Sequence, residues 1–408
     1  MPDIKLRKFP WPFQAAMAIN SDLDNTCSGE CYTTMMDYLN SDRQTPIGKG
    51  LALETANSIW FYNNTTTPQV SWFNGTGKER NTYTARLVEL MQSGHIDTLH
   101  TFGNFNEGGF KREHALAALD ELEKLGVKLP VWVNHGNKRN TQNIGYWPTF
   151  FGAVPSAPEY HFNLVKEYGI RYFGLGKTTH ILGQDAANNP GVYFKNNLQK
   201  ALRYTKYRNL PESPFDLQNR LMWQTTLQDG SRIWEFQRWI NPWGGKSTTN
   251  LPDLARQLDP KYLHRLIANQ GYLVLYTHIC DGLNIQTGIP AEVRRSLEYL
   301  SALHKDKILL VTTTARLLKY YEVSRNINYK IITNGNQADI FIEPQLSVLN
   351  NSYQVTPNDL QGVTFKCKPT MQVTLYLGRE RIKCTQYETV GHKKMVITVP
   401  WVSLPYPC

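Results

Sequence analysis

No apolar run in this 408-residue chain approaches the length of about 18 residues that crosses a bilayer, so no membrane span is expected. Cysteine is scarce, and six in this length do not make a disulfide framework. Cys27 and Cys31 lack a second close Cys or His pair, which speaks against a zinc finger; packing is their expected role. Met1 to Phe13 is broken by proline, mixed with Lys and Arg, and has no apolar core of signal-peptide length. Reduced thiols and a cytoplasmic address are therefore expected, and the Asn-x-Thr sites around Asn63, Asn64 and Asn74 would matter only in a secreted setting. No glycine-rich phosphate fingerprint follows the first strand-like run, which weighs against a dinucleotide fold. Acidic residues are outnumbered, 34 against 44 Lys and Arg, and the formal charge of +10 suits an anionic partner such as a phosphate-bearing sugar or a membrane surface. The basic residues are scattered, however, and no arm or nucleic-acid motif is present, so nucleic-acid binding is not expected.

What the chain does have is a hydrophobic fraction of 41%, enough for a real core, and a regular alternation over residues 1–325. Short apolar runs read as strands at Ala15–Asn20, Asp97–His100, Val131–Val133, Ile170–Phe173, Tyr272–Tyr276 and Ile308–Val311. Between them lie segments of helical period: Thr84–Gln92, Lys111–Leu125 with Gly126 as stop, Pro158–Tyr168, Leu254–Asn269, Ala291–Leu303 and Ala315–Tyr321. This alternation implies parallel strands with helices outside, and the number and spacing of strands favour a β/α barrel, incomplete or seven-stranded. Residues 25–81 read as a long polar and aromatic insertion. From Asn326 the pattern becomes short, β-branched and alternating, with turn signals such as Asn334-Gly335, and 326–408 is expected to be an all-β sandwich domain.

In a parallel barrel the chemistry sits just beyond the C-terminal ends of the strands. The residues there are Asp22 and Asp24, then His100 and Asn104, then Asn134 and His135, then His278. Two imidazoles and one carboxylate make a three-ligand site for a divalent ion with room for water and substrate. A second carboxylate supplies a base and a further histidine an acid, a set suited to amide hydrolysis.

These positions resemble the polysaccharide deacetylase family, carbohydrate esterase family four. Its T-F-D-D-G motif corresponds to Ser21-Asp22-Leu23-Asp24-Asn25, its H-[ST]-x-x-H to His100-Thr101-Phe102-Gly103-Asn104, and its L-x-H to Leu275-Tyr276-Thr277-His278. The resemblance covers residues 13–324 in order, with every motif altered. The second metal histidine has become Asn104, and the arginine motif falls where Trp132-Val133-Asn134-His135-Gly136 stands. The resemblance implies one divalent ion, zinc first and nickel or cobalt as alternatives, on Asp24, His100 and His135, with Asn104 a weaker alternative ligand. It implies Asp22 as base and His278 as acid, although the Asp-x-Asp spacing leaves the two aspartate roles open to exchange.

Most large aromatics, including Trp60-Phe61-Tyr62, Trp234 and Trp239, are expected to fill core. Trp72 and Trp243, flanked by polar or glycine residues, are expected to line a sugar cleft with Asn134. The implied activity is removal of an N-acetyl group from a sugar or glycan during surface-polysaccharide assembly. The alternatives are a barrel that binds glycans without turnover and a hydrolase of non-sugar C–N bonds.

Overall fold

The computed structural model describes residues 4–136, 139–186, 219–241, 249–349, 351–389 and 394–407, with Gly191, Phe194, Leu198, Ala201, Leu202 and Thr205 of a helix between. Among the described residues the main sheet of the first part has eleven strands, of which the principal eight are β1 (Ala15–Ser21), β2 (Ala56–Ile59), β3 (Ile96–His100), β4 (Val131–Val133), β5 (Tyr172–Gly174), β6 (Arg232–Phe236), β7 (Tyr272–Thr277) and β8 (Leu309–Thr312). Helices Gly29–Asn40, Thr84–Gln92, Arg112–Lys124, Phe162–Tyr168, Pro260–Ala268, Ala291–Lys305 and Thr314–Asn326 lie between or after them. Pairing is parallel from β1 through β2, β3, β4 and β5 to β6. The chain then continues past Gln237 into Arg238–Trp239, which pairs with β7, and β7 pairs with β1 over its full length. β8 pairs with the first half of β1, below β2. The curled sheet with outer helices is an α/β barrel.

Strand alternation explains the packing. Along β1, Ala16 and Ala18 belong to the same apolar cluster as Val131, Val133, Tyr172, Trp234, Phe236, Tyr272 and Val274. Their small side chains leave room for the four aromatic rings inside the barrel. Ala15, Met17 and Ile19, on the other face, pack with Met35, Leu266, Val293 and Leu297 of the helices.

The segment 25–81 differs from a bare insertion: it supplies a helix and β2, which completes the pairing between β1 and β3. Its strand was concealed because Asn57 and Ser58 interrupt the apolar pattern, yet both are buried. Ser58 donates to Ser21 O, and Asn57 Oδ1 accepts from Ser58 N–H, which offsets part of the cost of burying them, while Asn57 Nδ2 is buried without a partner.

The described C-terminal residues are strand and turn apart from one short 3-10 helix, Pro357–Leu360. One sheet runs Tyr329–Asn334, Gln337–Ile342, Gln372–Leu377, Glu380–Arg381, and another runs Lys5–Leu6, Thr364–Cys367, Lys394–Thr398, Thr385–Thr389. The N-terminal Lys5–Leu6 thus joins the C-terminal sheet. Gly335 takes φ +57° in the turn between the first two strands, where a Cβ would be strained. The last residues return to the barrel: Leu404 N–H donates to Glu54, and Tyr406 OH to Asp37. No helix among the described residues is long and apolar enough to cross a membrane.

Candidate functional site

The strand ends bring Asp22, Asp24, His135 and His278 to one open cleft of about 690 Å³, also lined by Asn25, Asn106, Gly136, Arg139 and Tyr276. His100, the last residue of β3, lies directly beneath and is fully buried. Its ring stacks on Trp60, with centroids 5.2 Å apart, and Trp60 meets His135 edge-on at 5.3 Å. Thr101, next in the chain, has φ +52°, so the backbone turns sharply at the site. His135 is held by its backbone, since its N–H donates to Asn143 Oδ1 and its carbonyl accepts from Asn143 Nδ2.

Asp24 is the hub. His135 Nδ1 is 3.2 Å from Asp24 Oδ1, His100 Nδ1 is 3.7 Å from Oδ2, and His278 Nε2 is 3.6 Å from Oδ2. Burial alone would raise the Asp24 carboxyl, but the three imidazoles, His135 foremost, hold it well below the usual carboxylate range. Burial lowers His100 to about 4 against the pull of Asp22 and Asp24, so its ring is neutral near pH 7, as a metal ligand must be.

Ligand atoms of Asp24, His100 and His135 all lie within 4.8 Å of one another, as do those of Asp22, Asp24 and His278. Both nitrogens of His100 and of His135 are buried with no hydrogen-bond partner. Each such orphan costs about 1–3 kcal/mol. The approach to Asp24 is close yet not aligned for hydrogen bonding, and donors around one tetrahedral zinc stand about 3.3 Å apart. The residues present therefore fit a divalent cation.

Asp22, directly after β1, is occupied differently. Its Oδ1 accepts from Arg238 Nη1 at 2.6 Å, while Oδ2 is 3.6 Å from His100 Nε2. Arg238 also donates to Asn20 Oδ1 at 3.0 Å and lies 4.2 Å over the Tyr276 ring. His278 Nδ1 is 2.9 Å from Thr249 Oγ1, and its Nε2 is 3.4 Å from the Tyr276 hydroxyl. Burial opposes the charged form of His278, but the carboxylate of Asp24 close by, aided by that of Asp22, outweighs this and raises its pKa.

Three expectations need correction. Asn134 does not line the cleft: its Oδ1 accepts from Trp132 Nε1 and Ile144 N–H, and its Nδ2 donates to Ile144 O, pinning the 140–144 loop. Trp72 is fully buried against Phe61, with Nε1 donating to Glu121 and Arg80 over its ring, so it is core. Asn104 is turned to its own loop, where its Oδ1 accepts from Asn106 N–H. Trp243 lies outside the described residues. Sequence reasoning missed Arg238, Tyr276 and Thr249. The alternating run Arg232-Ile233-Trp234-Glu235-Phe236 offered the one signal, since a strand there places Arg238 at a strand end.

No family model and no curated protein matches this chain. Among solved structures, an endo-beta1,6-glucanase aligns over 98% of this chain and 94% of its own, at 8% identity and a TM-score of 0.32. A diaminopimelate decarboxylase from M. jannaschii, in complex with L-lysine, aligns over 93% and 81%, at 10% identity and a TM-score of 0.24. Neither similarity is close enough to bear on function.

Proposed function

We propose that the protein is a metal-dependent hydrolase that removes an N-acetyl group from a sugar or glycan. The observation that carries this reading is the convergence of Asp24, His100 and His135, with Asp22 and His278 beside them. The order of these residues along the chain, which resembles that of polysaccharide deacetylases, supplies the substrate class.

Asp24, His100 and His135 would hold the ion, with zinc the best match to two imidazoles and a carboxylate. When bound, it supplies Lewis acidity to an amide carbonyl and acidifies water. Asp22, fixed by Arg238, would serve as the base that takes a proton from the attacking water. Oδ2 is free for this role because Arg238 engages Oδ1. His278, aligned through Nδ1 by Thr249, gives a proton to the departing amine from Nε2. Its raised pKa supports the protonated form this step needs. The C-terminal strands are read as an accessory β-sandwich.

One observation favours a second reading, hydrolysis of a non-sugar C–N bond. Among the described residues lining the cleft only Tyr276 is aromatic besides the two histidines, and Arg238 covers its ring. Acetate release from N-acetylated sugars, measured with zinc, nickel or cobalt supplied, tests the proposal. Release by wild type but not by Asp22→Asn, which retains metal, supports it. Metal retention with no acetate from any N-acetyl sugar, but turnover of cyclic amides, selects the second reading.

A further inference from the structure

The described residues on either side of 187–218 are pinned together. Asp185 N–H donates to Asn219 O at 3.0 Å, Leu221 N–H donates to Asp185 Oδ2, and Asn219 Nδ2 donates to Gly183 O. Gln184 exchanges backbone hydrogen bonds with Tyr272, the first residue of β7. Gly183–Asp185 and Asn219–Leu221 therefore meet at the N-terminal end of the strands, opposite the cleft.

Gly191, Phe194, Leu198, Ala201, Leu202 and Thr205 are helical, and every one is exposed. Steps of three and four place them on one face. Phe194 is 72% exposed, Leu198 53% and Leu202 65%, at i, i+4 and i+8. Single exposed apolar residues are ordinary, but a stripe of three large ones marks a surface that something covers. The charge of the same stretch limits what that is. From 186 to 211 there is no Asp or Glu, while Lys195, Lys200, Arg203, Lys206 and Arg208 are present, in a chain of net charge +10. A second copy would bring the same positive charge to the contact.

We propose that this helix docks the protein on an anionic phospholipid surface, with Phe194, Leu198 and Leu202 entering the boundary between headgroups and acyl chains. An apolar stripe within a basic, acid-free segment matches both parts of such an interface. This assignment is independent of the chemistry proposed for the cleft.

Co-sedimentation of the full chain with vesicles tests it. Wild type is expected to pellet with phosphatidylcholine vesicles containing about a third phosphatidylglycerol, and not with phosphatidylcholine alone. Added salt weakens the binding by screening. The combined variant Phe194→Ser, Leu198→Ser, Leu202→Ser is expected to bind at least about tenfold more weakly, with an unchanged Tm because all three side chains are exposed. Lys200→Glu with Arg203→Glu is a second variant expected to lose the anionic preference. Absence of wild-type binding, or equal binding by the serine variant, overturns the proposal. So does a wild-type dimer that the serine variant dissociates, which assigns the stripe to a second copy.

Discussion

Arg238 Nη1 lies 2.6 Å from Asp22 Oδ1, and both side chains are only 4% exposed. The two residues are far apart in the chain and meet because Arg238–Trp239 pairs with β7 while β7 pairs with β1. Removing one partner of a buried pair strands the other charge. Arg238→Met is therefore expected to destabilise the fold by about 3–5 kcal/mol in denaturant titration. Adding Asp22→Asn should recover a large part of that loss, because the uncompensated carboxylate is then gone. If the single and double variants are equally unstable, the pair does not hold this part of the barrel.

Metal binding gives a second, separate expectation. Wild type should retain about one divalent ion per chain and gain about 2.7 kcal/mol in stability when free zinc is a hundredfold above its Kd. His135→Ala removes a donor whose nitrogens have no other partner, so both the ion and the gain should vanish. Asn104→Ala should keep both, since Asn104 Oδ1 serves its own loop. Elemental analysis beside thermal denaturation reads both effects. Loss of the ion in the Asn104 variant would contradict the assignment of donors.

Trp72 separates core from cleft. Its indole is buried against Phe61 and held by Glu121, so Trp72→Ala is expected to cost about 3–5 kcal/mol as a cavity opens. Under stabilising conditions the hydrolytic rate should be unchanged, because no atom of Trp72 lines the cleft. A selective loss of KM without loss of stability would return Trp72 to the cleft.

Local pattern made most of the barrel legible. Ala115, Ala118, Leu119 and Leu122 fall on one helix face because a 3.6-residue period must meet a core, and all four are buried. The candidate site was readable to the same depth, since Asp22, Asp24, His100, His135 and His278 each stand at or just beyond the end of a recognisable strand. What stayed hidden depended on contacts between distant residues. Asn57 and Ser58 look like loop until Ser21 O takes the Ser58 hydroxyl and the Asn57 side chain takes the Ser58 amide. Asn134 looks like a substrate contact until Ile144 and Trp132 claim its carboxamide. The alternating run before Arg238 places it at a strand end, but its role exists only once the sheet has curled far enough to bring it to Asp22.

Buried histidines set the response to acid. Burial lowers His95, His100 and His161 to about 4 each, while the unfolded chain protonates them near the ordinary value of 6.5. Below pH 6.5 the unfolded state therefore binds more protons than the folded state, so stability is present above that pH and lost as pH falls toward 4. Each group contributes at most about 3 kcal/mol across that window. His161 gives the cleanest test because it lies away from the carboxylates, among Phe102, Phe110 and Trp132, with Nδ1 2.8 Å from Glu159 O. His161→Phe forfeits that hydrogen bond but removes the protonation. Metal-free variant and wild type, unfolded in denaturant at a series of pH values from about 7 to 4, should differ in slope by about one proton. The variant starts less stable and loses stability more slowly as pH falls. Parallel curves would show that His161 takes up its proton equally well in the folded and unfolded chain.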